Sequence, residues 1–175
     1  MHLATFRKGI HPPGNKEKTF SLPVETLPLP KQVVLPLSQH IGAPSEPLVS
    51  VGDQVMTGQK IAEAKGMVSV PLHASISGKV VAIEPRPHAS GKLVPAIVIE
   101  SDGTDQISPE LASGYNLEQL SAEQIKDLIR QAGLVGMGGA AFPTHVKYYP
   151  PEGKQIEYVI LNGAECEPYL TCDHR

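Results

Sequence analysis

The 175-residue chain has no tryptophan, only two cysteines and no long apolar run, and its charges nearly cancel at a formal −3. Each shortage removes a class of protein. Cys166 and Cys172 are too few for a disulfide scaffold and lack the CxxC spacing of a redox or zinc motif. No stretch approaches the ~18–20 apolar residues of a membrane-spanning helix. Met1 to Pro30 also lacks the cationic-then-apolar order of a signal peptide. The near-neutral balance argues against nucleic acid as a main partner. The seven histidines show no HxxxH or HxH pair, so no metal site is assigned. A hydrophobic fraction of 41% excludes intrinsic disorder. What is left reads as a soluble, cytoplasmic chain.

Turn chemistry is in surplus. Seventeen prolines and sixteen glycines predict many turns and short strands rather than long helices. Charge is uneven as well: six Lys/Arg stand against four Asp/Glu up to Lys60, and nine against fourteen after it. The chain divides in the same spirit. Residues 1–32 are polar and Pro-punctuated and read as an extended arm lying against something else. Residues 33–104 read as a small all-β domain: Val33 to Leu37, Val51 to Val55, Thr57 to Ile61, Met67 to Leu72, Lys79 to Glu84 and Leu93 to Glu100 are short strands with Gly or Asp at the turns. Residues 105–116 read as a linker.

In residues 117–175 the period changes. Ile125, Leu128, Ile129 and Ala132 form the stripe of an amphipathic helix, with Ser121 and Gln124 as a capping box and Gly133 as the stop. A glycine-rich loop follows, from Gly133 to Pro143. Ile156 to Leu161 then reads as a buried strand, running into Asn162, Glu165 and Glu167. One helix, one loop and one strand cannot build a core. This region is therefore expected to be the truncated start of an α/β domain.

The glycine loop contains Gly136-Met-Gly138-Gly139-Ala-Ala141, which satisfies G-x-G-x-x-A as a string. The dinucleotide mechanism needs a strand before that motif and a helix after it, whereas here a helix precedes it. What survives is a run of backbone N–H groups without side-chain cover, a cradle for an anion. With Phe142 for stacking, Lys147 for a phosphate or ring oxygen, and the Asn/Glu loop, it would make a mononucleotide site.

Two families are resembled. Val51-Gly52-Asp53, Gly58-Gln59 and Ser77-Gly78-Lys79-Val80 are similar to the biotinyl/lipoyl carriers, which have the barrel-sandwich hybrid fold. The carrier lysine's place falls near Met67, with Lys65 two residues away, and a structural domain without a prosthetic group is the favoured reading over a modified Lys65. The glycine loop through Phe142-Pro143-Thr144 and Lys147, and then Asn162-Gly-Ala-Glu165-Cys-Glu167-Pro168, resembles the flavin- and NADH-binding subunit of respiratory complex I. Together with Gly9-Ile10-His11-Pro12-Pro13, they resemble more closely its relatives, the RnfC family of the Rnf electron transport complexes.

The overall expectation is thus a mainly β chain with an α/β remainder: a barrel-sandwich hybrid domain followed by the truncated start of an FMN/NADH-binding domain. The resemblance implies electron transfer between NADH and ferredoxin, coupled to ion translocation, by a peripheral subunit on the cytoplasmic face of the bacterial inner membrane, partnered by the other Rnf membrane subunits. It implies FMN contacts at Gly136, Gly138, Gly139, Lys147, Asn162 and Glu165, and NADH contacts at Phe142 and Glu167. Met137, Ala141 and Ala164 depart from the complex I pattern, which has Arg, Gly and Asp there. The family's iron–sulfur clusters need grouped cysteines. Cys166 and Cys172 are instead read as free, partly buried thiols, so the clusters are assigned to a missing C-terminal part. The chain as it stands is expected to hold no cofactor, and no side chain is assigned a catalytic role. A cobalamin reductase, the flavin-free relative within the sodium-pumping NADH:quinone reductase, and a non-redox carrier or docking module are the competing readings.

Overall fold

The structure is a computed structural model that describes residues 9, 12–112, 114–137, 139–150, 152–165 and 167–174. It separates into two compact units, Pro28–Lys154 and the pair Met1–Leu27 with Gln155–Arg175.

The larger unit contains seven strands: β1 (Gln32–Pro36), β2 (Glu46–Pro47), β3 (Gln54–Val55), β4 (Lys60–Glu63), β5 (Leu72–His73), β6 (Gly78–Pro87) and β7 (Leu93–Ser101). They form two antiparallel sheets, ordered β1-β7-β6-β3 and β2-β4-β5. Val55, Val80, Ile97 and Ile99 from the first sheet meet Ile61, Ala62 and Leu72 from the second in one apolar cluster. This is the expected barrel-sandwich. Strand β7 alternates only weakly in sequence because Ala96, Ile97, Val98 and Ile99 are all fully buried, so both of its faces are covered. A bulge between Lys60 and Ala62 lets consecutive residues Ile61 and Ala62 both turn inward.

Several expected strands are shorter. Met67 to Leu72 contributes only its last residue to β5. Its backbone is engaged elsewhere: the Val68 carbonyl accepts from Ala43 N (3.2 Å), Val70 N donates to His40 Nε2 (3.3 Å) and the Val70 carbonyl accepts from Ser45 Oγ (2.8 Å). Groups committed to a neighbouring loop cannot also form a ladder. Val51 and Gly52 form a turn closed by Ser50 N to Asp53 Oδ2 (2.8 Å), leaving Gln54–Val55 as the strand. Thr57 makes an isolated parallel bridge to Ile107, so β4 begins at Lys60. Strand β2 carries no sequence signal because half of it is a proline.

Residues 102–112 are pinned to the β unit. Ser77 Oγ donates to Asp102 Oδ1 (2.7 Å) and accepts from Gln106 N (2.8 Å), and Thr57 N donates to the Gln106 carbonyl (2.8 Å). A short 3-10 turn, Pro109–Ala112, brings Leu111 over Gly58.

Helix α1 (Ala122–Gln131) has its capping box, with Gln124 N donating to Ser121 Oγ and Ser121 N to the Gln124 side chain, and Gly133 takes φ +70° at the stop. It is joined to the β unit by Lys60 Nζ on Gln131 Oε1 (2.6 Å) and by Arg130 on the Gly66 carbonyl (3.1 Å).

In the smaller unit a 3-10 turn, Lys16–Lys18, lies against residues 167–170. Lys16 Nζ donates to the Glu167 and Leu170 carbonyls (3.2 and 2.7 Å), and Tyr169 N donates to the Gly14 carbonyl (2.7 Å). The buried strand expected at Ile156 to Leu161 does not form. These residues have no regular structure, and Ile160 and Leu161 are 90 and 91% exposed. A strand needs a partner for its N–H and C=O groups and a surface to cover its side chains. No described strand provides either.

The sheet yields two expectations. Gly78 has φ +155°, and a Cβ there would lie 1.9 Å from the Glu100 carbonyl oxygen across the β6–β7 pair. Gly78→Ala is expected to destabilise by about 2–4 kcal/mol, read by urea unfolding. Asp102 is held below its ordinary range by bonds from Thr104 N, Ser77 Oγ and Thr104 Oγ1. A depressed carboxyl stabilises the fold above its unfolded pKa, and that contribution is lost as pH falls through the folded value. Asp102→Asn should therefore lower the melting temperature at neutral pH, with the difference from the unaltered chain shrinking below about pH 4.

Candidate functional site

Residues 134–137 and 139–144 run back against each other. Val135 and Pro143 make an antiparallel bridge, Gly136 N donates to the Phe142 carbonyl (2.8 Å) and Thr144 N to the Leu134 carbonyl (2.9 Å). The tip is held to the loop after β1 by Ile41 N on the Ala140 carbonyl (3.2 Å). Gly139 takes φ +138°, and Ala141 sits in the left-handed region at +48° despite its Cβ. Gly138, one of the expected contacts, lies outside the described residues.

Directly after the reversal, a 3-10 turn over Thr144–Tyr148 carries Lys147. A Cβ on Gly136 would stand 2.7 Å from Lys147 Nζ. Glycine here is thus what lets the ammonium group close on the backbone of the loop. Lys147 is exposed and has no hydrogen bond or ion pair among the described residues. Phe142, five residues before it, is half-buried, and Met137 projects into solvent. A free cation over an open glycine backbone is the chemistry of an anion cradle. Gly136, Gly139, Phe142 and Lys147 therefore share one local structure in the larger unit.

The remaining expected residues belong to the smaller unit. Asn162 is exposed, and its Oδ1 accepts from Ala164 N (2.9 Å) in a short local turn. The Glu165 side chain is only 8% exposed. Its Oε1 accepts from Asp173 N (2.6 Å) and its Oε2 lies 4.0 Å from Lys16 Nζ. Glu167 is exposed, and its carbonyl accepts from Lys16 Nζ and Leu170 N. Cys166 lies outside the described residues. Cys172, expected to be partly buried, is exposed and free. Local desolvation and the Asp173 and Glu165 carboxylates push its thiol up, away from the reactive thiolate. Glu165, Cys172 and Asp173 bring one donor atom each within 4.8 Å of one another. Glu165 is already engaged there by an amide and an ammonium group.

Lys65 is exposed and ion-paired with Glu46. The next two residues are fastened by their carbonyls: Gly66 accepts from Arg130 and Met67 from His145 Nε2 (3.0 Å). The tip that carries a swinging arm in lipoyl-type domains is here an attachment point. Sequence reasoning missed His145 because a lone histidine has no spacing signal.

A small barrel-sandwich is followed by a capped helix and by a glycine loop with an exposed lysine beside it. Two family models match the chain. Residues 4–104 match the RnfC barrel sandwich hybrid domain and residues 129–175 the Nuo51 FMN-binding domain. The chain belongs to the RnfC family. It is 54% identical over 170 residues to the C subunit of the Na+-translocating ferredoxin:NAD+ oxidoreductase complex of Acetobacterium woodii, a match covering 97% of this chain and 38% of that protein. It is 49% identical over 173 residues to the C subunit of the proton-translocating ferredoxin:NAD+ oxidoreductase complex of Clostridium ljungdahlii (99 and 38% covered). The corresponding protein of the ion-translocating oxidoreductase complex of Rhodobacter capsulatus is 46% identical (98 and 33%). The chain thus spans little more than a third of the length of these curated relatives. No helix among the described residues is long and apolar enough to cross a membrane.

The two glycines that flank this region should respond differently to a methyl group. At Gly136 the clash is with the end of a flexible side chain, so Gly136→Ala is expected to cost under about 1 kcal/mol while displacing Lys147. At Gly133, with φ +70°, the Cβ would sit 2.8 Å from the Pro71 carbonyl. Gly133→Ala is expected to cost about 1–3 kcal/mol. Urea unfolding of both variants measures the contrast.

Proposed function

We propose that the chain is the N-terminal part of a protein that passes electrons between NADH and ferredoxin, in a complex that couples this transfer to ion translocation. The observation that carries the reading is the Lys147 ammonium, without a partner among the described residues, closing on the Gly136 backbone within a segment that matches an FMN-binding family. The residues fit the group: a phosphate bears the charge for which Lys147 has no partner among the described residues, and the exposed backbone at Gly139 leaves room for it beside the Gly136 amide, which is bonded to Phe142. FMN, when bound, converts the two electrons of a hydride into single-electron transfers, chemistry that belongs to the cofactor.

The protein's part is binding and orientation. Lys147, with Gly136, Gly138 and Gly139, anchors the phosphate end. Asn162 and Glu165 reach the flavin, and Phe142 and Glu167 meet the nicotinamide nucleotide. Glu165 is committed to Asp173 N and Lys16 in this chain, which supports a site completed only by the longer protein. Iron–sulfur clusters belong to that further sequence. The domain limits proposed are an arm at 1–32, the barrel-sandwich at 33–104, a linker at 105–116 and the start of the FMN/NADH domain at 117–175. In this reading the protein is a peripheral subunit at the cytoplasmic face of the bacterial inner membrane. The fastened Gly66–Met67 tip favours a structural role for the barrel-sandwich over a carrier role.

Flavin fluorescence titration tests the reading. The 175-residue chain is expected to bind FMN weakly or not at all, and the corresponding longer protein to bind it with Lys147→Met weakening affinity at least about tenfold at unchanged melting temperature. Undiminished FMN affinity in the Lys147→Met protein would remove Lys147 from the site.

A further inference from the structure

The acidic loop after Asn162 does not hold its own shape. Its described residues form no strand or helix, and Tyr169 takes a left-handed φ of +66° in spite of its Cβ. Such a backbone persists only where its surroundings over-determine it. Here they belong to the N-terminal arm, about 150 positions earlier in the chain. Tyr169 N donates to the Gly14 carbonyl (2.7 Å), and the Tyr169 carbonyl accepts from Thr19 Oγ1 (2.7 Å). Both backbone groups of the strained residue are thus bonded to the arm.

Lys16 makes the remaining ties. Its ammonium donates to the Leu170 carbonyl (2.7 Å) and the Glu167 carbonyl (3.2 Å), and it stands 4.0 Å from Glu165 Oε2. One cation gathers Glu165, Glu167 and Leu170 around a single point. An ammonium group has three donors and no acceptor, which suits two carbonyls converging with a carboxylate. At 4.0 Å the contact with Glu165 is an ion pair and not a hydrogen bond. A carboxylate has about four acceptor sites, and Asp173 N and the Cys172 thiol use only part of them. Lys16 therefore holds the Glu165 carboxylate without blocking it.

We propose that Lys16 is a positioning residue for the nucleotide site, setting where Glu165 and Glu167 stand without touching the nucleotide itself. The role rests on the reading above, in which Glu165 reaches the flavin and Glu167 the nicotinamide nucleotide. It goes further in what it makes of the arm. The family match at 4–104 groups the arm with the barrel-sandwich, whereas residues 14–19 bond to residues 167–170 and share a compact unit with them. The arm serves the nucleotide-binding half of the protein, and Lys16 is its point of action.

The test has two parts. Lys16→Met, Lys16→Arg and, on the same turn, Glu17→Gln are compared in the 175-residue chain by amide hydrogen exchange. The same variants of the corresponding longer protein are compared by steady-state NADH oxidation with ferricyanide as acceptor, at saturating FMN. In the chain, Lys16→Met is expected to raise exchange at the Tyr169 and Asp173 amides at least about tenfold, with Val98 in the core unchanged. In the longer protein it is expected to raise KM for NADH at least about tenfold, and to lower kcat less, with the melting temperature moved by under about 2 °C. Lys16→Arg keeps a charged donor and should bring KM back to within about threefold of the unaltered protein. Glu17→Gln should match the unaltered protein in both parts. Unchanged exchange in the Lys16→Met chain overturns the proposal. Raised exchange with an unchanged KM overturns it too, since the contact is then a structural tie alone. A longer protein that, unaltered, neither binds FMN nor oxidises NADH overturns the functional reading and this role with it.

Discussion

Strand β7 must be paired along both edges and covered on both faces, and meeting that demand positions everything else between residues 28 and 154. Its four consecutive buried residues, Ala96 to Ile99, pair with β1 on one side and β6 on the other. At the open end of the long β6–β7 hairpin, opposite Ser101, Gly78 lets the two backbones approach without an intervening Cβ. From that frame, Ser77 captures Asp102 and Gln106, so the chain leaving β7 turns back along the sheet instead of departing from it. The helix is therefore delivered next to β4 before any of its own side chains act.

The second sheet has almost no ladder of its own. Strands β2 and β5 are two residues each, and side chains do what backbone pairing would otherwise do. His40 donates from Nδ1 to the Ile41 carbonyl and accepts Val70 N at Nε2, while Ser45 and Ser69 bridge the same two loops. Buried polar groups that are fully paired fix one arrangement where apolar packing alone would allow several. That arrangement presents the Gly66 and Met67 carbonyls outward, where Arg130 and His145 take them. In a carrier domain the equivalent tip must be loose to let a cofactor swing. Fastened on two sides, it becomes a bracket for the helix and for the turn bearing Lys147.

What could be read beforehand was what local chemistry decides. The Ser121/Gln124 capping box, the Ile125–Leu128–Ile129 stripe and the Gly133 stop specify α1 without outside help, and the structure has all three. The glycine loop and Lys147 were legible as types of residue, but their approach within one turn required the Val135–Pro143 bridge to be seen. Residues 67–71 carry β propensity, yet Val70 bonds to the His40 and Ser45 side chains and Val68 to the Ala43 backbone, 25–30 positions earlier in the chain, which no window of sequence reveals. Ile156 to Leu161 failed for the opposite reason: the local pattern is right for a strand, but a strand is a property of a pair. His145 gave no signal at all, since its role rests on a carbonyl 78 residues away.

The exposed run Ile156-Glu-Tyr-Val-Ile-Leu161 has a consequence for handling the protein. It is six residues of high β propensity with one charge, no proline and no glycine. Such a segment offers its free backbone to any similar strand, including the same residues of a second molecule. Prepared as a separate piece, the chain would carry its own seed for association, and its solubility would fall with concentration long before the barrel-sandwich lost its fold.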